Sequence, residues 1–259
     1  MPLLQSSRTL FLIAAAAITA PSVAQRIKPH TQGPSASPVL VELFTSEGCS
    51  DCPPADALLA RLQHDQPIPS ANVIALEEHV DYWDHLGWRD PFSSHDLTAR
   101  QNAYTVRLHL DDNYTPQMIV DGVEQFVGSD SGRATRAIST AAHAPKLMLT
   151  LSSVSFANAH ATGTVSAEIA AGQHPNADLY AALVQKTAST NVGRGENGGR
   201  TLHHVSTVLA LQKIGNVSAA HTFSLTLPQK ADPANLAVVV FAQQPGQGAI
   251  LGAVSSASR

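Results

Sequence analysis

Two hydrophobic patterns divide the chain. Between residues 39 and 144, short apolar runs alternate with segments in which apolar residues recur at helical spacing, and this order favours β-α-β units. From residue 145 onward apolar and polar positions alternate with a period of two, as at Leu147, Leu149 and Leu151, which is typical of strands with one buried face. The pattern predicts an α/β domain over residues 39–144, followed by an all-β, sandwich-like domain over residues 145–259.

The first 38 residues carry a different pattern. Arg8 precedes an apolar run that ends in small residues at Ala24, which predicts a signal peptide over residues 1–24. The run is much shorter than the about 20 apolar residues that a membrane span needs, so we expect no span after cleavage. Residues 25–38 are rich in proline and polar side chains and are predicted to form a flexible lead-in. We therefore expect a periplasmic or secreted protein.

Composition narrows the function classes. The chain has 259 residues and a formal net charge of -4, so it offers no basic surface for nucleic acid. Its 2 cysteines exclude a disulfide-rich scaffold and a four-cysteine zinc site. The Gly-rich residues 191–200 are predicted to be a loop without the lysine of a nucleotide-binding loop, and no bound cofactor is predicted. His203 and His204 are predicted to lie on a strand-edge surface.

The two cysteines lie at a predicted strand-to-helix junction. Residues 39–44 form a β-branched and aromatic run, and after Cys52 the apolar positions follow one helical stripe: Ala55, Leu58, Leu59 and Leu62. The positive end of a helix stabilises a thiolate, so Cys49 is predicted to be the solvent-facing nucleophile and Cys52 the resolving thiol. As a plain staple the pair would be weak, because a loop of about four residues removes only roughly 2 kcal/mol of unfolded-state entropy.

A second strand is predicted over residues 72–76, and His79 follows it. If the His79 ring approaches both sulfurs, then Cys49, Cys52 and His79 form a candidate site for Cu(I) or zinc. If the ring points instead at Asp81 or a backbone carbonyl, His79 is a structural residue. The metal set is therefore an alternative to redox chemistry.

The rest of the first domain is predicted to contain two further helices and a hairpin. Residues 94–108 and 131–143 have helical spacing, with Ser93 or Ser94 as a candidate cap. Between them, Thr115-Pro116 opens an apolar strand that ends at Asp121-Gly122, and Asp-Gly favours a short hairpin turn.

This order of elements is similar to the thioredoxin fold, and Thr115-Pro116 matches the cis-proline loop of that fold. Four motifs resemble more closely the secreted bacterial family catalogued as domain of unknown function 1223: VELFTSEGCSDCPPAD, HVDYWD, YTPQMIVDG and FVGSD. The resemblance implies a thioredoxin-like first domain, but no settled activity. It also implies a cis bond at Thr115-Pro116 that packs against the cysteines and presents backbone to an extended peptide. Glu42 roughly matches the buried acid that moves protons at the second cysteine.

The predicted function is therefore an exported thiol-disulfide oxidoreductase that acts on periplasmic proteins. Its expected partners are extended protein segments or a redox partner protein. Glu47 and Asp51 oppose thiolate formation by like charge, so Cys49 is expected to be less acidic than in strong oxidants. Two alternatives remain open, namely a copper- or zinc-binding or delivery protein and a non-catalytic binding module that retains a disulfide.

Overall fold

The structure is a computed structural model that describes residues 36–257. The predicted signal peptide and most of the predicted lead-in lie outside these residues. The described elements are, in chain order, β1 (Ser37–Thr45), α1 (Pro53–Asp65), β2 (Ala71–His79), α2 (His95–Arg107), β3 (Gln117–Val120), β4 (Glu124–Val127), α3 (Ser131–Ala141), β5 (Met148–Ala157), β6 (His160–Glu168), β7 (Asp178–Asn191), β8 (Thr201–Asn216), β9 (His221–Thr226), β10 (Leu236–Gln243) and β11 (Ile250–Ser255).

Eight strands form one mixed sheet, in the order β11-β10-β7-β8-β2-β1-β3-β4. β1 and β2 are parallel along their full length, and β3 pairs with β1 in the antiparallel sense. β8 joins the edge of β2 through a single parallel pairing, Glu77 with Thr207. The other three strands form a separate sheet in the order β5-β6-β9. The sheet that contains the cysteine strand therefore continues into the second half of the chain.

The predicted fold class, a thioredoxin-like α/β domain followed by a separate sandwich, is wrong. The predicted strands exist, but β7, β8, β10 and β11 extend the sheet of the first half instead of forming a second domain's own sheet. The three-stranded sheet packs on this extension, where Leu149 and Phe223 share a core with Leu179 and Val238. Alternating polarity reports which face of a strand is buried, but it does not report which strand is its neighbour.

Helices cover both faces of β1 and β2. The predicted apolar stripe of α1 packs on Val39, Val41 and Leu43, and Pro53 occupies the first turn, where its missing N–H is not needed. Leu97 and Tyr104 of α2 pack on the opposite face. Because β1 and β2 are parallel, their carboxyl ends lie side by side. The cysteine loop after β1 and His79 at the end of β2 are therefore at the same end of the sheet.

The hairpin and the Thr-Pro bond agree with their sequence predictions. Asp121 and Gly122 both have positive φ, at 48° and 68°, as an Asp-Gly hairpin turn requires. The Thr115-Pro116 peptide bond is cis. Ser94 caps α2, where its side chain accepts a hydrogen bond from the Asp96 N–H. None of the described helices is long and apolar enough to cross a membrane.

Candidate functional site

A disulfide joins Cys49 to Cys52 at the amino end of α1. Cys52 is the residue that precedes the first helical turn, and its carbonyl accepts hydrogen bonds from the N–H groups of Ala55 and Asp56. The Cys49 N–H donates to the Ser46 carbonyl at 3.1 Å, which closes the loop against the end of β1. The sulfurs therefore lie at the positive end of the helix dipole, as the sequence predicts.

Both cysteines are buried. The exposed fraction is 1% for Cys49 and 0% for Cys52, whereas Ser50 and Asp51 between them are exposed. The prediction that Cys49 faces solvent is therefore wrong in the disulfide-bonded state. Residues that contact this loop, such as Trp83 and Asn197, are distant in the sequence, which is why the local pattern around Cys49 gave no sign of them.

Residues 193–200, here called the cover loop, are hydrogen-bonded to the backbone of the cysteine loop. The Asn197 Nδ2 atom donates to the carbonyl oxygens of Glu47 and Cys49, both at 2.9 Å. Glu196 Oε2 accepts a hydrogen bond from the Ser50 N–H at 3.1 Å. The sequence predicted a loop here, but its glycines gave no indication of what it covers.

Thr115 is linked to the cysteine loop through Trp83. The Trp83 Nε1 donates to Thr115 Oγ1 at 2.9 Å, and the Trp83 Cβ lies 3.0 Å from where a Cβ on Gly48 would be. Pro116 is buried beside α1, since a Cβ on Gly128 would contact both Pro116 and Ala55. Thr115 itself is half-buried and makes no backbone hydrogen bond within residues 36–257. Its N–H and carbonyl groups therefore have no hydrogen-bond partner among the described residues.

A carboxylate and imidazole network lies behind the cysteine loop. His204 is paired through Nδ1 with Glu77 Oε1 at 2.9 Å and through Nε2 with Glu47 Oε1 at 3.2 Å. Burial lowers the pKa of His204, but the hydrogen bonds to Glu47 and Glu77 outweigh it and raise the pKa to about 10. His204 is only 2% exposed, so its predicted place on a strand-edge surface is wrong, whereas His203 is exposed.

His79 belongs to the same network. Its Nδ1 pairs with Asp90 Oδ2 at 2.7 Å, and its ring meets the His204 ring edge-on with centroids 4.7 Å apart. Burial lowers the pKa of His79, but the charge of Asp90 outweighs it, so the net shift is upward. Asp90 Oδ2 also accepts the Glu47 N–H at 2.8 Å. The partner of His79 is thus Asp90, neither Asp81 nor a backbone carbonyl.

The predicted metal set has both of its sulfurs in the disulfide bond. In this state neither Cys49 nor Cys52 is a thiolate, which is the form that binds metal. Among the described residues, the side chains whose possible ligand atoms converge are instead Glu77, His79 and His204. The structure therefore groups His79 with another imidazole and a carboxylate.

Asp56 is a buried carboxyl group one helical turn after Cys52. It accepts a hydrogen bond from Thr45 Oγ1 at 2.7 Å. Burial and the nearby charge of Glu77 raise the pKa of Asp56 to about 7. Asp56 is thus a buried carboxyl group with a raised pKa in the helix that begins at the disulfide, whereas the sequence indicated Glu42 as the buried acid of the site.

Glu42 lies on the opposite face of β1. Its carboxylate accepts hydrogen bonds from Arg100 Nε at 2.7 Å and from the Tyr104 hydroxyl at 2.6 Å. Gln243 of β10 donates a hydrogen bond to the same hydroxyl. Glu78 of β2 is also buried near Glu42, and burial together with the charge of Glu42 raises the pKa of Glu78 well above its ordinary value. Strand alternation puts Glu42 and Thr45 on opposite faces, so the structure does not bring Glu42 to the disulfide.

The fold and the site define a class of protein with a Cys-X-X-Cys disulfide at a strand-to-helix junction of a large mixed sheet. The chain belongs to the family described as protein of unknown function (DUF1223), whose model matches residues 40–243. No curated protein sequence matches the chain significantly.

Two solved structures are similar in fold. Protein AGR_C_4864 from Agrobacterium tumefaciens shares 26% identity with a TM-score of 0.64, and the match covers 85% of this chain and 94% of that one. HBP35 of Porphyromonas gingivalis shares 16% identity with a TM-score of 0.60, over 87% of this chain and 76% of that one. The second likeness is one of fold alone.

Proposed function

We propose that the protein is an exported thiol-disulfide oxidoreductase that acts on periplasmic proteins through Cys49 and Cys52. The observation that carries the proposal is the position of the disulfide at the amino end of α1. Unpaired N–H groups and the helix dipole stabilise a thiolate there, and a stabilised thiolate is both a good leaving group and a selective nucleophile.

The proposed reaction is a two-step exchange. A thiolate of the partner attacks Cys49 Sγ, an intermolecular disulfide forms, and Cys52 leaves as a thiolate. A second thiolate of the partner then attacks the partner sulfur that is bonded to Cys49. The partner's disulfide forms, and Cys49 leaves as a thiolate. The partner loses two electrons and two protons, which the Cys49 and Cys52 dithiol gains, and the reverse sequence reduces a partner disulfide.

Asp56 is proposed to exchange a proton with Cys52 during these steps. Its pKa of about 7 lets it hold or release a proton at neutral pH, and it lies one helical turn from Cys52. Burial and the charge of Glu77 keep the pKa of Asp56 high, so the carboxyl group can both hold and accept a proton near neutral pH. Asp56 therefore takes the role first assigned to Glu42.

Thr115 and Pro116 are proposed to bind the partner chain. Thr115 has backbone groups without hydrogen bonds among the described residues, so an extended protein segment can pair with them. The cover loop is proposed to open first, because Cys49 is 1% exposed and Asn197 of this loop holds its carbonyl group. A bound partner segment would replace the hydrogen bonds that Asn197 makes.

Trapping of mixed disulfides tests the proposal. A Cys52→Ala variant expressed with its own leader lacks the resolving thiol, so it should accumulate covalent adducts with periplasmic proteins that dissolve on reduction. A Cys49→Ala variant is the matched control and should accumulate few. Equal adduct levels in the two variants, or none above background in either, would contradict the proposed reaction.

The near-complete burial of both sulfurs favours a second candidate, a binding module that retains a structural disulfide. The two candidates differ in redox equilibrium. An oxidoreductase should exchange with a glutathione buffer within minutes at neutral pH, whereas a structural disulfide should stay oxidised at potentials above about -300 mV. Mass spectrometry of alkylated samples separates the two results.

A further inference from the structure

Within residues 36–257 one group of three possible metal ligands converges. One ligand atom each from Glu77, His79 and His204 lies within 4.8 Å of the other two, and all three side chains are buried. β2 contributes Glu77 and His79, which point to the same face two residues apart, and β8 contributes His204. The single pairing between these strands brings the group together.

His79 has one ring nitrogen that the protein leaves without a partner. Its Nδ1 is paired with Asp90 at 2.7 Å, whereas its Nε2 is fully buried and has no hydrogen bond among the described residues. Burying a polar atom without a partner is costly, so such an atom calls for a ligand. A carboxylate on the far nitrogen is also the arrangement that orients metal-binding imidazoles.

The charges around the group are unbalanced. Glu77 is a member of the group, and the carboxylates of Glu47 in the cysteine loop and Asp90 after β2 are paired with its imidazoles. Asp56 of α1, with a pKa of about 7, is a fourth carboxyl group close by, and all four are buried. Their described ion pairs are with the two imidazoles alone, and include no lysine or arginine. Buried charge of one sign is unfavourable unless it is compensated. A divalent cation among these carboxylates would offset it.

From these observations we infer that Glu77, His79 and His204 form a binding site for a divalent transition-metal ion of the Zn²⁺ type. Two imidazoles and one carboxylate are a donor set that zinc accepts, with a fourth position for water. Ligand atoms at about 2.1 Å from a tetrahedral ion lie about 3.4 Å apart. Separations in the group of up to 4.8 Å would therefore shorten, whereas the 2.9 Å between Glu77 Oε1 and His204 Nδ1 would lengthen slightly. His204 would exchange its hydrogen bond to Glu77 for the ion.

This site differs from a cysteine site in requiring no thiol. It is therefore tested on the oxidised protein, in which Cys49 and Cys52 are bonded to each other. Equilibrium dialysis of the metal-free, oxidised full chain against Zn²⁺ should give one ion per chain. The His79→Ala variant should lose binding at least 100-fold, and Asp90→Asn, which leaves the ligands in place, should lose about 10- to 100-fold.

Two exposed histidines provide the matched control. The side chains of His64 and His95 are 90% and 84% exposed, and each is paired with an aspartate, as His79 is. The double variant His64→Ala and His95→Ala should bind Zn²⁺ as the unaltered protein does. Loss of the bound ion in this control, or its retention in His79→Ala, would assign the ion to the surface and overturn the inference.

A measurement on the unaltered protein covers the case in which His79→Ala does not fold. With ¹⁵N-labelled histidine, addition of Zn²⁺ should shift the ring-nitrogen resonances of His79 and His204, and leave those of the exposed histidines in place. Absence of stoichiometric binding, or shifts confined to exposed rings, would show that no such site exists. The outcome is independent of the proposed redox function, because the disulfide stays intact throughout.

Discussion

Asn197 donates a hydrogen bond to the carbonyl oxygen of Cys49 at 2.9 Å, although the two residues are 148 positions apart in the sequence. The same Nδ2 atom also serves the Glu47 carbonyl, so one side chain satisfies two backbone groups on the cysteine loop. Because Asn197 is fully buried, these groups have no water as an alternative partner. The backbone of the cysteine loop is therefore held in place by a loop from the other half of the chain.

Removing this side chain should expose the disulfide. We expect Asn197→Ala to lower the free energy of unfolding by about 1–3 kcal/mol, because two buried carbonyls lose their donor. We also expect dithiothreitol to reduce the disulfide faster in this variant than in the unaltered protein. Alkylation with a mass tag after timed reduction measures the rate.

Asn191→Ala is the control for that experiment. Asn191 lies just before the cover loop, is exposed, and accepts a hydrogen bond only at the surface, from Thr201 Oγ1. Its removal should change neither the stability nor the reduction rate appreciably. Equal reduction rates in Asn197→Ala and Asn191→Ala would mean that the cover loop does not limit access to the sulfurs.

Asp56 should make stability depend on pH. Its pKa is about 7 in the folded protein, against 3.8 for an ordinary aspartate, so the folded state binds more protons than the unfolded state between these values. The free energy of unfolding should therefore fall as pH rises from 4 to 7, by at most about 4 kcal/mol. The Asp56→Asn variant should lack this fall and be the more stable protein at pH 8.

Urea denaturation at several pH values measures this effect, and Asp65→Asn serves as its control. Asp65 is on the same helix but is exposed, so its replacement should leave the pH dependence unchanged. An identical pH profile for Asp56→Asn and the unaltered protein would show that the carboxyl group of Asp56 ionises normally.

Removing one partner of the buried Arg100 and Glu42 pair should destabilise the protein strongly. Replacing Arg100 by leucine leaves Glu42 buried without its cation, which should cost about 3–5 kcal/mol in urea denaturation. Arg107→Leu, on the exposed end of the same helix, should cost under about 1 kcal/mol. If both substitutions cost the same, Glu42 must be compensated by another group.

Gly128 and Gly132 should respond to alanine with opposite signs. A Cβ on Gly128 would lie 2.7 Å from Leu43 Cδ1 and 3.0 Å from Ala55 Cβ, and such overpacking typically costs about 1–3 kcal/mol. Gly132 is exposed in α3 with no close contact, so alanine there should stabilise by about 0.5–1 kcal/mol. Thermal denaturation compares the two variants, and destabilisation of similar size at both sites would refute the packing argument.

Local pattern was enough to find the elements of this fold. The helical stripe of α1 and the alternation in β5 and β6 are properties of neighbouring residues, and the structure has both close to where they were expected. Sheet order is a different property. The pairing of β8 with β2 depends on Glu77 and Thr207, which are 130 residues apart, so no window of sequence contains it.

The residues of the candidate site also fall into those that local sequence predicts and those that only the folded chain brings together. The cysteine pair and the Asp-Gly turn were found because short motifs encode them. Asp56 was missed because its raised pKa comes from burial and from Glu77 in β2, which only the folded chain supplies. His204 was misplaced for the same reason. Its sequence neighbours fit a strand edge, but Glu47 and Glu77 enclose its ring in the folded protein.

The cover loop also has a consequence for engineering this protein. Another glycine-containing turn, at residues 171–174, is exposed, and a Cβ on Gly172 would meet nothing within 4 Å. An affinity tag or a protease site inserted near Gly172 should therefore leave the disulfide undisturbed. The same insertion within residues 193–200 should disrupt the hydrogen bond from Asn197 to Cys49 and make the disulfide more accessible to reductants.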